Sequence, residues 1–245
     1  TRGGSNGDYH TIVLAPNSVQ EAADLTRLAF ELSDKYRNPA MILADGTIGQ
    51  MVELVEFPEP IDPADIPERD YALTGNRGRA PRKAEPKNSA EDLENHNLHL
   101  QEKYHACESA ERRSESVYTE DADVVVVAFG FVSRIAREMV EELRQDGVKA
   151  GLFRPITLWP FDVEGLRAAV KNAKAVVVLE GNAGMMCSDI RLFLEGTKPV
   201  YFHGRMGGSM VNTDSVKPKV KHILENKKDW SELNGKEGIW TAYDA

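Results

Sequence analysis

The sequence predicts an α/β protein in two parts, and three observations predict it. Val124–Phe129 is a continuous apolar run of the kind buried on both faces of a parallel sheet. From there, strand-like and helix-like segments alternate over about 80 residues, the pattern of a mostly parallel sheet with helices packed on it. Ahead of it, residues 10–45 read as a strand–helix–strand unit, the building block of such sheets.

The first strand is His10–Ala15, stopped by Pro16, with Asn17 or Ser18 placed to cap a helix and Glu21 three residues beyond Ser18 completing a capping box. Val19, Ala22, Ala23, Leu25, Ala29 and Leu32 then recur at helical spacing. Asn38-Pro39 breaks the helix, and Ala40–Ala44 is a second strand ending at Asp45-Gly46. Two strands alone are too few for a stable sheet. From Glu56 to Asp123 the chain turns Pro-rich and then polar, a connector with room for a helix around Leu93, Leu98, Leu100 and Tyr104. Beyond Val124–Phe129, Ser133–Asp146 is helical with Ile135, Ala136, Met139, Val140 and Leu143 on one face. Strands follow at 148–153, 175–179 and 200–203, with helices at 163–172 and 185–194.

The chain has 245 residues, enough for two domains, and a formal charge of −9. That balance argues against a nucleic-acid or anionic-membrane surface; the basic stretch Arg77–Lys87, interrupted by Gly and Pro, reads as a solvated loop. No apolar run approaches the roughly 20 residues that span a bilayer. The two cysteines, Cys107 and Cys187, lack a Cys-x-x-Cys neighbour, which speaks for a reducing, cytoplasmic setting and leaves too few thiolates for a cubane cluster. Thr1–Gly7 has neither an initiator Met nor the order of a signal peptide and reads as a start inside a domain.

Several constellations could carry chemistry. Gly130–Ser133 opens a helix after a strand but lacks the second and third glycines of a dinucleotide fingerprint, so it reads as a helix N-terminus capped by Ser133. Arg2 among three glycines is either an anion cradle or a loose end. His96, His99 and His105 read as a solvated helix face, and the cysteines as buried or incidental thiols. Asp45, next to Gly46, and Glu180 stand at strand ends, where open α/β sheets place ligands and where turns also favour such residues. Gly184 and Met185 in one glycine-rich loop, and Arg205, Gly207 and Gly208 in another, read as a subunit contact, with a plain sheet-edge loop as the alternative.

Taken together, Leu14–Ala22, Ala44-Asp45-Gly46 with Gly49-Gln50-Met51, and Arg154–Phe161 resemble the alpha subunit of 2-oxoacid:ferredoxin oxidoreductases, most nearly the branched-chain type acting on 2-oxoisovalerate. Tyr71–Gly75, His96–Tyr104 and Gly204–Gly208 carry the same likeness, which runs from Thr1 to about Leu224. The resemblance implies a thiamine diphosphate pyrimidine-binding domain of the transketolase type, represented by its closing part in residues 1–56. A connector would follow at 57–120, a transketolase C-terminal-like α/β domain at 121–225, and a tail without assignment at 226–245. Family members carry roughly a hundred further residues ahead of this start, a domain's worth. The catalytic residues are expected in that portion, so none is assigned here.

The resemblance also implies thiamine diphosphate and magnesium at the interface with a partner subunit, iron–sulfur clusters on partners, and coenzyme A as co-substrate. The partners would be beta, gamma and delta-type subunits and ferredoxin. Arg2, Asp45 and Gly46 would then edge the cofactor pocket, and Asp45→Ala is expected to weaken assembly or cofactor retention more than folding. The alternatives are a ferredoxin-independent thiamine diphosphate enzyme, such as a 2-oxoacid dehydrogenase or transketolase component, and a non-catalytic interaction subunit.

Overall fold

Four consecutive valines, Val124–Val127, are all fully buried, and they form the central strand β4 of a sheet covered on both faces. In this computed structural model the described residues are 7–66, 69, 71–73, 78, 89–225 and 239–243. Arg2, nearly all of the basic stretch 77–87, and positions 226–238 lie outside them.

The larger sheet has the order β3(Ser114–Val117)–β5(Ala150–Pro155)–β4–β7(Ala175–Glu180)–β8(Val200–Gly204)–β9(Ile239–Tyr243). Its four inner strands are parallel, and the two outer strands run antiparallel to their neighbours. Alternate residues of each inner strand serve opposite faces. Val125, Val127, Val176, Val178 and Phe202 pack on α4(Val163–Ala169) and α5(Met185–Leu194) through Leu166, Ile190 and Leu194. Val124, Val126, Val177 and Leu179 pack on α3(Gly130–Gln145) and α6(Thr213–Leu224) through Ala136, Met139, Val140, Val216 and Val220. Each such side chain is worth about 1.5–3 kcal/mol of burial, so the two faces account for most of what holds this unit together.

The smaller sheet has the order β2(Ala40–Ile42)–β1(Ile12–Leu14)–β6(Thr157–Trp159). Its third strand comes from the second unit and pairs antiparallel with β1, which resolves the two-strand deficit of residues 10–45. Ile12, Leu14 and Trp159 share a core with Leu25 and Leu32 of α1(Val19–Tyr36) and with Tyr104 and Cys107 of α2(Ala90–Ala110). The helix expected within the connector therefore packs on the first unit. Helix α1 begins with half of the expected capping box: Ser18 Oγ accepts from Glu21 N at 3.1 Å, but Glu21 Oε2 accepts from Asn17 N, one residue before the cap, at 2.9 Å.

The two units are also tied by charge. Arg154 of β5, almost wholly buried, donates both to Glu21 of α1 and to Glu115 of β3, and Glu115 in turn accepts from Arg137 of α3 at 2.6 Å. Among the described residues no helix is long and apolar enough to cross a membrane.

Candidate functional site

Helix α3 lies on one face of the large sheet and α5 on the other, so the loops leaving β4 and β7 diverge. That divergence is the topological switch point of an open α/β sheet, where a crevice forms beyond the strands' carboxyl ends. Phe129, Phe131, Glu180, Gly181 and Asn182 from these loops line a cavity of about 650 Å³ there. Its other wall comes from the first unit, the loop after β2 with Asp45, Gly46 and Thr47, and its rim from Met185, Gly208 and Met210. Five of the residues singled out in sequence, Asp45, Gly46, Glu180, Met185 and Gly208, thus meet in one cleft between the units.

Asp45 does more than line it. Its Oδ1 accepts from Thr47 N at 3.1 Å and from Ile48 N at 3.0 Å, and its Oδ2 accepts from Phe131 N at 2.7 Å. The last bond crosses between units and satisfies an amide that the first turn of a helix leaves without an intrahelical partner. This corrects the expectation that Ser133 caps α3. The helix starts at Gly130 after Phe129, with no cap from its own flanks, and Ser133 Oγ donates back to Gly130 O at 2.7 Å. Gly130 makes room for Asp45, having φ +60 and a Cβ position only 2.8 Å from Asp45 Oδ2.

Asp45→Ala is expected to cost about 1–2 kcal/mol and Gly130→Ala about 2 kcal/mol by urea unfolding. The double variant should cost clearly less than the two together, because the carboxylate that the new methyl would strike is gone. Additive losses would show that Asp45 does not reach α3.

Glu180 ends β7 fully buried. Its carboxylate accepts from Met186 N and Cys187 N at 2.9 Å and from Asn182 Nδ2 at 3.0 Å, and Asn182 Oδ1 accepts from Gly184 N at 2.8 Å and Met185 N at 3.0 Å. Burial raises the Glu180 pKa, and the amide bonds oppose that rise without cancelling it. The carboxylate is thus bound up in holding the first turn of α5 and the glycine loop. Gly184 has φ +98, and a Cβ there would lie 3.4 Å from the Phe202 ring. Arg205 N donates to Glu180 O at 3.1 Å, while Gly207 and Gly208 form an exposed turn with positive φ.

Among the described residues the lining carries three carboxylates, Asp45, Glu180 and Asp189, and no Lys or Arg. Such a cleft suits an apolar, neutral or cationic group and opposes a diphosphate, a coenzyme A phosphate or a substrate carboxylate. Among the described residues no cluster of three His, Cys, Asp or Glu could hold a metal ion. The residues present here therefore do not fit the diphosphate and magnesium of thiamine diphosphate. Arg2, the basic residue assigned to the pocket edge from sequence, lies outside the described residues. His96, His99 and His105 are exposed on α2. Burial lifts the Cys107 thiol to about 11 and the Cys187 thiol to about 12, so both stay protonated. What sequence reasoning missed were Asn182, Met210 and the phenylalanines of the β4–α3 loop. The signals for that neighbourhood were the strand-end position of Glu180, the glycine-rich loop after it, read as a subunit contact, and the Gly130–Ser133 loop, read only as a helix start.

The family model described as pyruvate flavodoxin/ferredoxin oxidoreductase, thiamine diphosphate-binding, matches residues 2–119, and pyruvate:ferredoxin oxidoreductase core domain II matches residues 122–216. Ketoisovalerate oxidoreductase subunit VorB of Methanothermobacter marburgensis is 42% identical over 235 residues, covering 93% of this chain. The 2-oxoglutarate synthase subunit KorA of the same organism is 27% identical over 245 residues, covering 89%. The chain spans 64% of the length of the first of these relatives and 65% of the second. Among solved structures, 2-oxoglutarate:ferredoxin oxidoreductase from Magnetococcus marinus shares the fold with a TM-score of 0.67 at 22% identity, over 89% of this chain and 43% of that one. A split-gene transketolase does so at 0.51 and 20% identity, over 89% of this chain and 58% of that one.

Proposed function

The chain belongs to the 2-oxoacid:ferredoxin oxidoreductase family, and we propose that it serves as a subunit of a complex that oxidatively decarboxylates a 2-oxoacid to its acyl-coenzyme A. Two electrons would pass singly to ferredoxin through iron–sulfur clusters on partner subunits. The observation that carries this reading is the consecutive match of both family domains along one chain. The 42% identity to a ketoisovalerate oxidoreductase subunit favours a branched-chain 2-oxoacid as substrate.

Thiamine diphosphate supplies the carbanion chemistry when bound. The acidic, apolar cleft favours anchoring of its diphosphate and magnesium by a partner, and likewise of the coenzyme A phosphates. This chain's own share is structural and steric. Asp45, Glu21–Arg154–Glu115 and the β1–β6 pairing hold the two units at a fixed angle, and the cleft between them excludes water around an apolar group. The loops carrying Gly184, Met185, Arg205, Gly207 and Gly208 would face a beta-type subunit, with gamma and delta-type subunits completing the assembly. The domain limits 1–56, 57–120, 121–225 and 226–245 belong to the same proposal, with α2 joined to the first unit.

The test is to isolate the complex through a tag on this chain and assay it with 2-oxoisovalerate, 2-oxoglutarate and pyruvate, coenzyme A and ferredoxin. Coenzyme A-dependent ferredoxin reduction, fastest with 2-oxoisovalerate, is expected. Oxidation without iron–sulfur partners would assign a ferredoxin-independent thiamine enzyme instead. No turnover with every partner present would assign a non-catalytic subunit.

A further inference from the structure

Residues 51–66 leave the cleft region as an arm, extended over 51–62, rather than folding back into the core. Pro58 and Pro60 disfavour helix and keep residues 51–62 stretched, and the segment then closes in a 3-10 turn at Pro63–Asp65, where Asp62 Oδ1 accepts from Ala64 N at 2.8 Å. The body holds the arm at two points. Glu53 accepts from Val19 N at 2.9 Å and from Arg134 Nη1 at 2.7 Å, which draws its pKa below the usual carboxylate range. The Gln20 side chain pairs with the Glu56 backbone as a neighbouring strand would, Nε2 donating to Glu56 O at 3.0 Å and Oε1 accepting from Glu56 N at 2.8 Å.

The consequence follows from the two-residue period of extended chain. With Glu53 turned inward, Val52 and Leu54 turn outward, and they are 97% and 90% exposed; Phe57 falls in Glu53's register but follows the last pinned residue, Glu56, and is 78% exposed. Three large apolar side chains held open to water on one short segment mark a contact surface rather than chance exposure. Because the arm is already pinned, little ordering cost remains for a partner that covers it. Its charge is one-sided: Glu53, Glu56, Glu59, Asp62 and Asp65 fall within residues 51–66, with no Lys or Arg. A complementary surface is therefore apolar along its floor and basic along its rim.

We propose that the arm 51–66 docks into an apolar groove edged by Lys and Arg on a partner subunit of the oxidoreductase. This rests on the chain working inside such a complex. The test compares wild type with Val52→Ser/Leu54→Ser/Phe57→Ser, all exposed positions, and with Glu56→Gln/Glu59→Gln/Asp62→Asn. Each chain is co-expressed with the partner subunits, and the affinity of the purified chain for the purified remainder is measured at low and high salt.

The serine variant is expected to bind at least tenfold more weakly at both salt concentrations, with its melting temperature unchanged. The amide variant should bind several-fold more weakly at low salt only. Wild-type affinity in both variants, with wild type still assembling, would overturn the arm and leave the family role standing. A serine variant that changes self-association of the isolated chain and not partner binding would overturn the proposal by making a second copy the occupant. Failure of wild type itself to assemble with any partner would remove the reading on which the proposal rests, and the proposal with it.

Discussion

Replacing Arg154 by Ala is expected to cost about 3–5 kcal/mol of folding stability, the largest loss of any single substitution considered for this chain. The guanidinium is buried in β5 and is shared by Glu21 of the first unit and Glu115 of β3. Removing it leaves Glu21 without its cation, and leaves Glu115, whose carboxyl is penalised by desolvation, with Arg137 alone to oppose that penalty. Arg154→Met combined with Glu21→Gln and Glu115→Gln should recover much of the loss, because the uncompensated charges go with the cation. Chemical denaturation of the three chains measures this. A loss under about 1 kcal/mol for Arg154→Ala would mean that the units are held by strand pairing and core contacts alone.

Acid should destabilise the protein through His203 by about 3 kcal/mol between pH 6.5 and pH 4. This ring is fully buried on β8, and burial, together with the nearby Lys219 and Arg205 charges, carries its pKa down to about 4 from the ordinary 6.5. The folded protein thus refuses a proton that the unfolded chain takes below pH 6.5. Stability is complete above that pH and is lost as pH falls toward 4. Glu180 works in the opposite sense, since its raised pKa lets acid relieve a buried charge, so the measured quantity must be a difference between chains. His203→Gln should lose less stability than wild type on going from pH 7 to pH 5. Equal losses in the two chains would show that His203 does not titrate as a buried neutral ring.

The sheet core was legible because its strands announce themselves by composition. Val124–Val127, Ala175–Leu179 and Val200–His203 are apolar without alternation, as double-faced burial requires, and α3 shows its buried face at helical spacing. The elements that escaped are those that tertiary context makes. Ser114–Val117 is polar because β3 is an edge strand whose Glu115 serves Arg154. Thr157–Trp159 is three residues between two prolines and becomes β6 only by pairing with β1. Helix α6 carries Pro218 inside it, and β9 lies in what reads as a polar tail.

The cleft was half legible for the same reason. Asp45 and Glu180 stand out as strand-end carboxylates, but they lie in different units, and the β1–β6 pairing, with the Glu21–Arg154 and Asp45–Phe131 contacts, brings their loops to one cavity. The cap of α3 shows this most plainly. A serine three residues into the helix is the local candidate, yet Asp45, 86 positions away, takes the amide because Gly130 lets it approach.

We propose that this chain works inside an assembly whose other subunits anchor the cofactor's charged end. The most direct measurement is titration of thiamine diphosphate with magnesium into the isolated chain and into the complex purified with its partners. No saturable binding is expected for the chain alone, and one cofactor per copy of this chain is expected in the complex. Stoichiometric, magnesium-dependent binding by the isolated chain would contradict it.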